Sequence, residues 1–184
     1  MSIIYGKRIR LRAAEREDVA TFHKWVNDPE VTRHLVLSLP MSMVDEENWF
    51  NSMNQRPQNE KVLVIEIREG EGWRMIGNCG VFAVDSVARC GELGIMIGEK
   101  SEWNKGYGTE TIALLAQHCF ETLNFNRVYL QVYAENERGK HAYEKAGFVE
   151  EGRLREAVYK HGKYDDVFVM SILRSEWNAK KGKE

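Results

Sequence analysis

Cysteine is scarce in this chain. Cys79, Cys90 and Cys119 are odd in number, far apart and never in a C-x-x-C pair. Neither a disulfide framework nor a cysteine-built zinc site is expected, and a reducing compartment, the cytoplasm, suits such a chain. Long apolar runs are missing too. No stretch approaches the ~20 residues that span a bilayer. The opening Met1-Ser2-Ile3-Ile4-Tyr5-Gly6-Lys7-Arg8 lacks the apolar core of a signal peptide. Charge of one sign is not in excess: 26 Lys and Arg face 28 Asp and Glu, a net −2. Nothing global therefore argues for nucleic acid or a membrane as partner. His23, His34, His118, His141 and His161 show no metal-ligand spacing, so no metal is expected. Repeats, low-complexity segments and dividing linkers are also absent. At 184 residues the chain suits one domain with a full core. Residues 174–184, with Lys180, Lys181 and Lys183, read as a solvated C-terminal tail.

What is present begins with Trp103-Asn104-Lys105-Gly106-Tyr107-Gly108-Thr109-Glu110. This stretch links the strand-like Glu92-Leu93-Gly94-Ile95-Met96-Ile97 to an amphipathic helix. In that helix Ile112, Leu115, Ala116, Cys119, Phe120 and Leu123 form one apolar stripe. The glycines let the backbone turn sharply and leave a row of N–H groups at a helix N-terminus, where an anion binds well. Lys105 adds a positive charge, and a phosphate-bearing ligand is the natural occupant. The spacing is neither that of a Walker loop nor that of a dinucleotide fingerprint, whose third glycine is replaced here by Glu110 or Thr111. Taken alone, the glycine pair is equally compatible with a tight connection.

Further on, Asn136-Glu137-Arg138-Gly139-Lys140-His141-Ala142-Tyr143-Glu144-Lys145-Ala146-Gly147-Phe148 reads as a short helix. Asn136 is placed to cap its start and Gly147 to end it in a left-handed turn. Arg127 to Tyr133 alternates as a strand. Earlier, helices are expected around Val19, Phe22 and Val26, and around Val44, Trp49, Phe50 and Met53. The second would start at a Ser42–Asp45 capping box. Strands are expected at 8–12, 61–69, 75–84 and up to Ile97, and two more flank His161-Gly162-Lys163. Several antiparallel hairpins followed by one β-α-β crossover make an α/β chain with a mixed sheet.

That order of elements, with those residues, resembles the GNAT superfamily of acyl-CoA-dependent N-acetyltransferases. The likeness is to the branch of ribosomal-protein N-terminal acetyltransferases and bacterial spermidine acetyltransferases. It covers almost the whole chain, from Ile9-Arg10-Leu11-Arg12 through Asn27-Asp28-Pro29-Glu30-Val31 to the hairpin Tyr159–Asp166. The resemblance implies one domain with a mostly antiparallel, twisted sheet of about seven strands. A splayed parallel pair would lie at its centre, with helices on both faces. It implies acetyl-CoA as cosubstrate, its pyrophosphate on the N–H groups of Asn104, Lys105, Gly106, Tyr107, Gly108 and Thr109. The pantetheine arm would pair with the backbone of Ile95, Met96 and Ile97, and an N–H of Ile95 or Met96 would serve as oxyanion donor. Tyr143 would be the general acid for the leaving thiolate. Asn136 would contact the pantetheine or order a water, and Lys140 would meet the 3′-phosphate or diphosphate. Many family members carry Gln or Arg where this chain has Trp103, so a side-chain phosphate contact at 103 is not expected.

Acetyl transfer also needs a base, because an acceptor amine is mostly ammonium at neutral pH. Glu92 is the first choice, directly or through water. His118 and Cys119 point about 100° apart on a helix and cannot cooperate as a nucleophilic pair, so direct transfer is expected. The resemblance implies a primary amine as acceptor: a polyamine, a peptide N-terminus or an aminoglycoside-like compound. Residues 13–60 carry nine acidic against four basic side chains, with Asp28, Glu30, Asp45, Glu46 and Glu47 clustered. That is either an acidic rim for a cation or a set of ordinary helix-start acids. Asp165 and Asp166 in the C-terminal hairpin offer further carboxylates. A homodimer follows by analogy, through exposed edge strands of that hairpin. The alternative is a non-catalytic acetyl-CoA-binding sensor or assembly protein.

Overall fold

The computed structural model describes residues 3–37 and 40–182. Eight strands form one sheet: β1 (Ile4–Tyr5), β2 (Ile9–Ala13), β3 (Leu63–Glu69), β4 (Gly72–Asp85), β5 (Cys90–Ile97), β6 (Arg127–Tyr133), β7 (Val149–Lys160) and β8 (Lys163–Leu173). Their order is β1-β2-β3-β4-β5-β6-β8-β7. The helices are α1 (Val19–Val26), α2 (Met43–Asn54), α3 (Tyr107–Glu121), α4 (Glu137–Ala146) and α5 (Arg174–Lys181). About seven strands were expected; the eighth is the two-residue β1, too short to carry a period.

The one parallel ladder joins β5 to β6 and pairs only Cys90–Glu92 with Arg127–Tyr129, although both strands run on. The other registered pairs are antiparallel. A parallel pair needs a crossover, and α3 supplies it.

The described residues fall into two compact units. The first comprises the chain up to Val81 with Ile95–Tyr107. Its core holds Phe22, Trp25, Val31, Val64 and Met96, with Trp49, Met75 and Trp103 packed against it. The second comprises Phe82–Gly94 and the chain from Gly108 onward. There Ile112, Leu115, Phe120, Leu130, Met170 and Ile172 are fully buried. Strands β4 and β5 run from one unit into the other.

Two helices differ from their sequence patterns. In α2 the inward stripe is Glu46, Phe50 and Met53, while Val44 is exposed. The capping box holds as read: Asp45 N–H donates to Ser42 Oγ at 3.1 Å, and Ser42 N–H donates to Asp45 Oδ2 at 3.0 Å. Residues 174–181, read as tail, are the helix α5. Arg174 Nε donates to the Phe125 carbonyl at 2.7 Å, and Trp177 stacks on Phe120 at 5.4 Å. Those contacts offset the ordering cost that a free lysine-rich end could not. Lys183, in the same expected tail, lies outside the described residues. No helix among the described residues is long and apolar enough to cross a membrane.

Candidate active site

In the first unit, β5 ends at Ile97 and a short 3-10 turn, Lys100–Glu102, leads to the glycine stretch. Asn104 sits at φ +61 and Gly106 at φ +83, both left-handed. Asparagine tolerates that region and glycine enters it freely. A side chain on Gly106 would be strained by this φ. Its Cβ would have one near neighbour, Arg8 Nη2 at 3.2 Å, and a Cβ on Gly108 would meet nothing within 4 Å. Space is therefore open beside Gly108. The first four N–H groups of α3, from Tyr107 on, have no partner within the helix. A helix N-terminus, open space beside Gly108 and Lys105 fit a diphosphate.

Three contacts brace this turn. The Trp103 indole N–H donates to the Ile97 carbonyl at 2.8 Å, tying the turn to the end of β5. Trp103 thus serves in the core, and its one N–H is spent on backbone. Lys105 Nζ reaches Glu102 at 3.0 Å, and Arg74 donates to the other oxygen of the same carboxylate at 2.8 Å. These two cations hold the buried Glu102 below the usual carboxylate range. Lastly, Arg8 Nη1 donates to the Lys105 carbonyl at 3.0 Å, and its guanidinium lies 4.7 Å over the Tyr107 ring. Sequence reasoning missed Arg8, Glu102 and Arg74. Ile95, Met96 and Ile97 lie in the same unit, with Met96 buried.

In the second unit, α4 is built as its residues suggest. Asn136 Oδ1 accepts from Gly139 N–H at 2.9 Å, and Gly147 closes the helix at φ +104. Tyr143, half-buried, stacks on Phe148 at 6.4 Å. Its hydroxyl has no hydrogen-bond partner among the described residues, and burial pushes its pKa up to about 12. A phenol so shifted stays protonated at neutral pH and keeps a proton to give. Lys140 is employed elsewhere: its Nζ contacts Glu150 at 2.6 Å and lies 4.0 Å over the Phe168 ring. A role at a phosphate would require breaking that pair.

Glu92 occupies the last rung of the parallel ladder, opposite Tyr129. Desolvation raises its carboxyl above the ordinary value, opposed by a hydrogen bond from Gln131 at 3.2 Å. A carboxylate shifted that way is a better base. Cys119 is fully buried, its thiol pushed up to about 12, and His118 is lowered by burial. Neither thiolate nor imidazolium forms readily there, in keeping with transfer that does not pass through an acyl-cysteine.

The clustered acids are dispersed by the structure. Asp28 and Glu30 both pair with Lys100, at 2.8 and 2.9 Å, and Asp45 caps α2. Glu46 is buried, and desolvation raises its pKa against a smaller opposing effect of His23. Asp165 accepts from Glu135 N–H at 3.2 Å. Asp166 accepts from Glu156 N–H at 2.7 Å and from Arg153, anchoring a bulge in β7 where Glu156 sits at φ +49. These acids are structural partners first. Among the described residues no three His, Cys, Asp or Glu side chains group to hold a metal ion.

A mixed sheet with a short central parallel ladder and a glycine turn opening its crossover helix is the fold of acetyl-CoA-dependent acyltransferases. The family model for the acetyltransferase (GNAT) domain matches residues 8–149, and the chain belongs to that family. It is an acyltransferase that moves an acetyl group to an amine. The spermidine N(1)-acetyltransferase of Vibrio cholerae is 29% identical over 172 residues, covering 94% of this chain and 96% of that one. An uncharacterised N-acetyltransferase, p20, of Bacillus licheniformis is 28% identical over 181 residues, covering 96% and 99%. Among solved structures, the V. cholerae spermidine N-acetyltransferase in complex with CoA and spermine superposes with a TM-score of 0.84. It is 29% identical and covers 93% of this chain and 98% of that one.

Proposed function

We propose that this protein acetylates a primary amine of a polyamine of the spermidine type. The carrying observation is the near-complete correspondence with a relative solved with CoA and spermine. In this reading the N–H groups from Asn104 to Thr109, with Lys105, hold the diphosphate, and the backbone of Ile95, Met96 and Ile97 receives the pantetheine arm. Asn136 orders that arm through its amide N–H, since its Oδ1 is already spent on the cap.

The donor, acetyl-CoA, supplies a thioester carbonyl. Glu92 takes a proton from the ammonium, directly or through water, and the freed nitrogen attacks the carbonyl carbon. An N–H of Ile95 or Met96 stabilises the charge that builds on the oxygen. The C–N bond forms, the C–S bond breaks, Tyr143 protonates the departing thiolate, and the second proton of the nitrogen passes through solvent to restore the Tyr143 phenol. The amide product and free CoA leave. No metal enters this scheme. The cytoplasm as location rests on three cysteines that form no disulfide among the described residues. A homodimer through the exposed β7 edge, where Val149, Leu154 and Tyr159 face solvent, completes the reading.

The test is release of free thiol from acetyl-CoA against spermidine, spermine, an aminoglycoside, and peptides beginning with Ser, Ala or Met. Turnover concentrated on the polyamines is the expected result. Turnover confined to one peptide class would replace the polyamine with a protein N-terminus.

A further inference from the structure

Arg8 lies 97 residues from the glycine turn in sequence and against it in space. It touches three successive residues there: the Lys105 carbonyl at 3.0 Å, the position of a Gly106 Cβ at 3.2 Å, and the Tyr107 ring at 4.7 Å. The peptide between Lys105 and Gly106 is planar and trans, so its C=O and its N–H point in opposite directions. Drawing the Lys105 carbonyl toward the guanidinium therefore turns the Gly106 N–H to the other side of the plane. With glycine on one side and a left-handed asparagine upstream, this peptide would otherwise rotate at low cost.

We propose that Arg8 is a positioning residue for the acetyl-CoA diphosphate: its grip on the Lys105 carbonyl sets the direction of the Gly106 N–H. The stack on Tyr107 keeps the guanidinium planar against the first residue of α3 and stops it swinging into solvent. The charge of Arg8 adds to that of Lys105, which Glu102 partly neutralises. This inference rests on the reading of the turn as the donor site and is independent of the acceptor's identity.

The experiment measures CoA binding by calorimetry and steady-state kinetics for Arg8→Met, Arg8→Lys and, as control, Gly106→Val. Arg8→Met keeps an apolar stem over Tyr107 and removes both the donor and the charge. It is expected to raise the Kd for CoA and the KM for acetyl-CoA about tenfold. The KM for the amine and kcat at saturating donor should change less than about twofold. Arg8→Lys restores a donor and should recover most of the loss. Unchanged CoA affinity in Arg8→Met, beside weakened affinity in Gly106→Val, would overturn the role of Arg8 and leave the donor turn standing. Unchanged affinity in both would remove the donor turn itself. A lowered melting temperature of ligand-free Arg8→Met with unaltered KM would make Arg8 a brace of the fold only, which also overturns the proposal.

Discussion

The glycine turn and helix α4 are both short segments with a left-handed glycine, yet they are held in different ways. Helix α4 carries its own fastenings. Asn136 caps Gly139 three residues on, and Gly147 N–H returns to the Tyr143 carbonyl at 3.0 Å. The turn combines nearby braces, Glu102 and the Ile97 carbonyl, with two from afar: Arg8 from β2's approach and Arg74 from β4. A self-capped helix can present a side chain such as Tyr143 with little regard to what lies elsewhere. A turn that presents backbone N–H groups needs its peptide planes fixed, and here a guanidinium distant in sequence, that of Arg8, takes a hand in fixing them. Chemistry by side chain goes with local fastening here, and binding by backbone with fastening that is in part distant.

The sharpest way to break this comparison is at Tyr143. Tyr143→Phe removes only the hydroxyl and leaves the stack on Phe148 and both caps of α4. Turnover should fall about a hundredfold or more, in the range that loss of a general acid costs, with CoA affinity unchanged. Single-turnover kinetics beside calorimetry separates the two. A rate within a few-fold of the parent would take Tyr143 out of the acid role and leave α4 a packing element.

Glu92 gives the next largest effect and a pH signature. Its folded pKa is raised, chiefly by desolvation. Between the ordinary value of 4.5 and that raised value the folded state binds more protons than the unfolded chain. Stability contributed by this group is therefore present at low pH and lost as pH rises through that window. Glu92→Gln abolishes the loss, so its melting temperature should gain on the parent as pH rises from 4.5 and then hold level. The same variant should lose turnover by about ten- to a hundredfold, because the base is gone. A variant that is less stable than the parent at every pH, with normal turnover, would make Glu92 a structural partner of Gln131.

The different fastenings also decide what can be read without coordinates. Ser42 with Asp45, Asn136 with Gly139, and Gly147 at a helix end are contacts within a few residues, and the sequence pattern contains both partners. So does the α3 stripe of Ile112, Leu115, Ala116, Cys119 and Phe120, although Leu123, read into it, lies past the helix end at Glu121. The long-range contacts leave no such trace. Arg8 is one of three alternating arginines in 8–12, and only its geometry separates it from Arg10 and Arg12, which serve Glu66. The acids of residues 28–47 look like one cluster along the chain. In space Lys100 takes two, a cap takes a third and burial takes Glu46. Lys140 carries a charge suited to a phosphate, but Glu150, ten residues on, claims it. Residues 174–181 show few apolar side chains, and their order comes from Trp177 on Phe120 and from Arg174 on the end of α3, where it donates to the Phe120 carbonyl at 2.7 Å.

The smallest effect is expected at Asn136, where a local fastening and a proposed ligand contact share one side chain. Its Oδ1 is spent on Gly139, and its amide N–H groups are the part that a pantetheine carbonyl could use. Asn136→Ala removes both and should cost about 1 kcal/mol of stability, the ordinary value of an N-cap. Asn136→Asp keeps an equivalent capping oxygen and removes the donor. If the two functions coexist, Asn136→Asp melts with the parent while its KM for acetyl-CoA rises a few-fold. Should Asn136→Asp match the parent in both measurements, the residue is a cap alone. Helix α4 would then deliver Tyr143 and nothing else to the chemistry, which sharpens the division between side-chain and backbone roles.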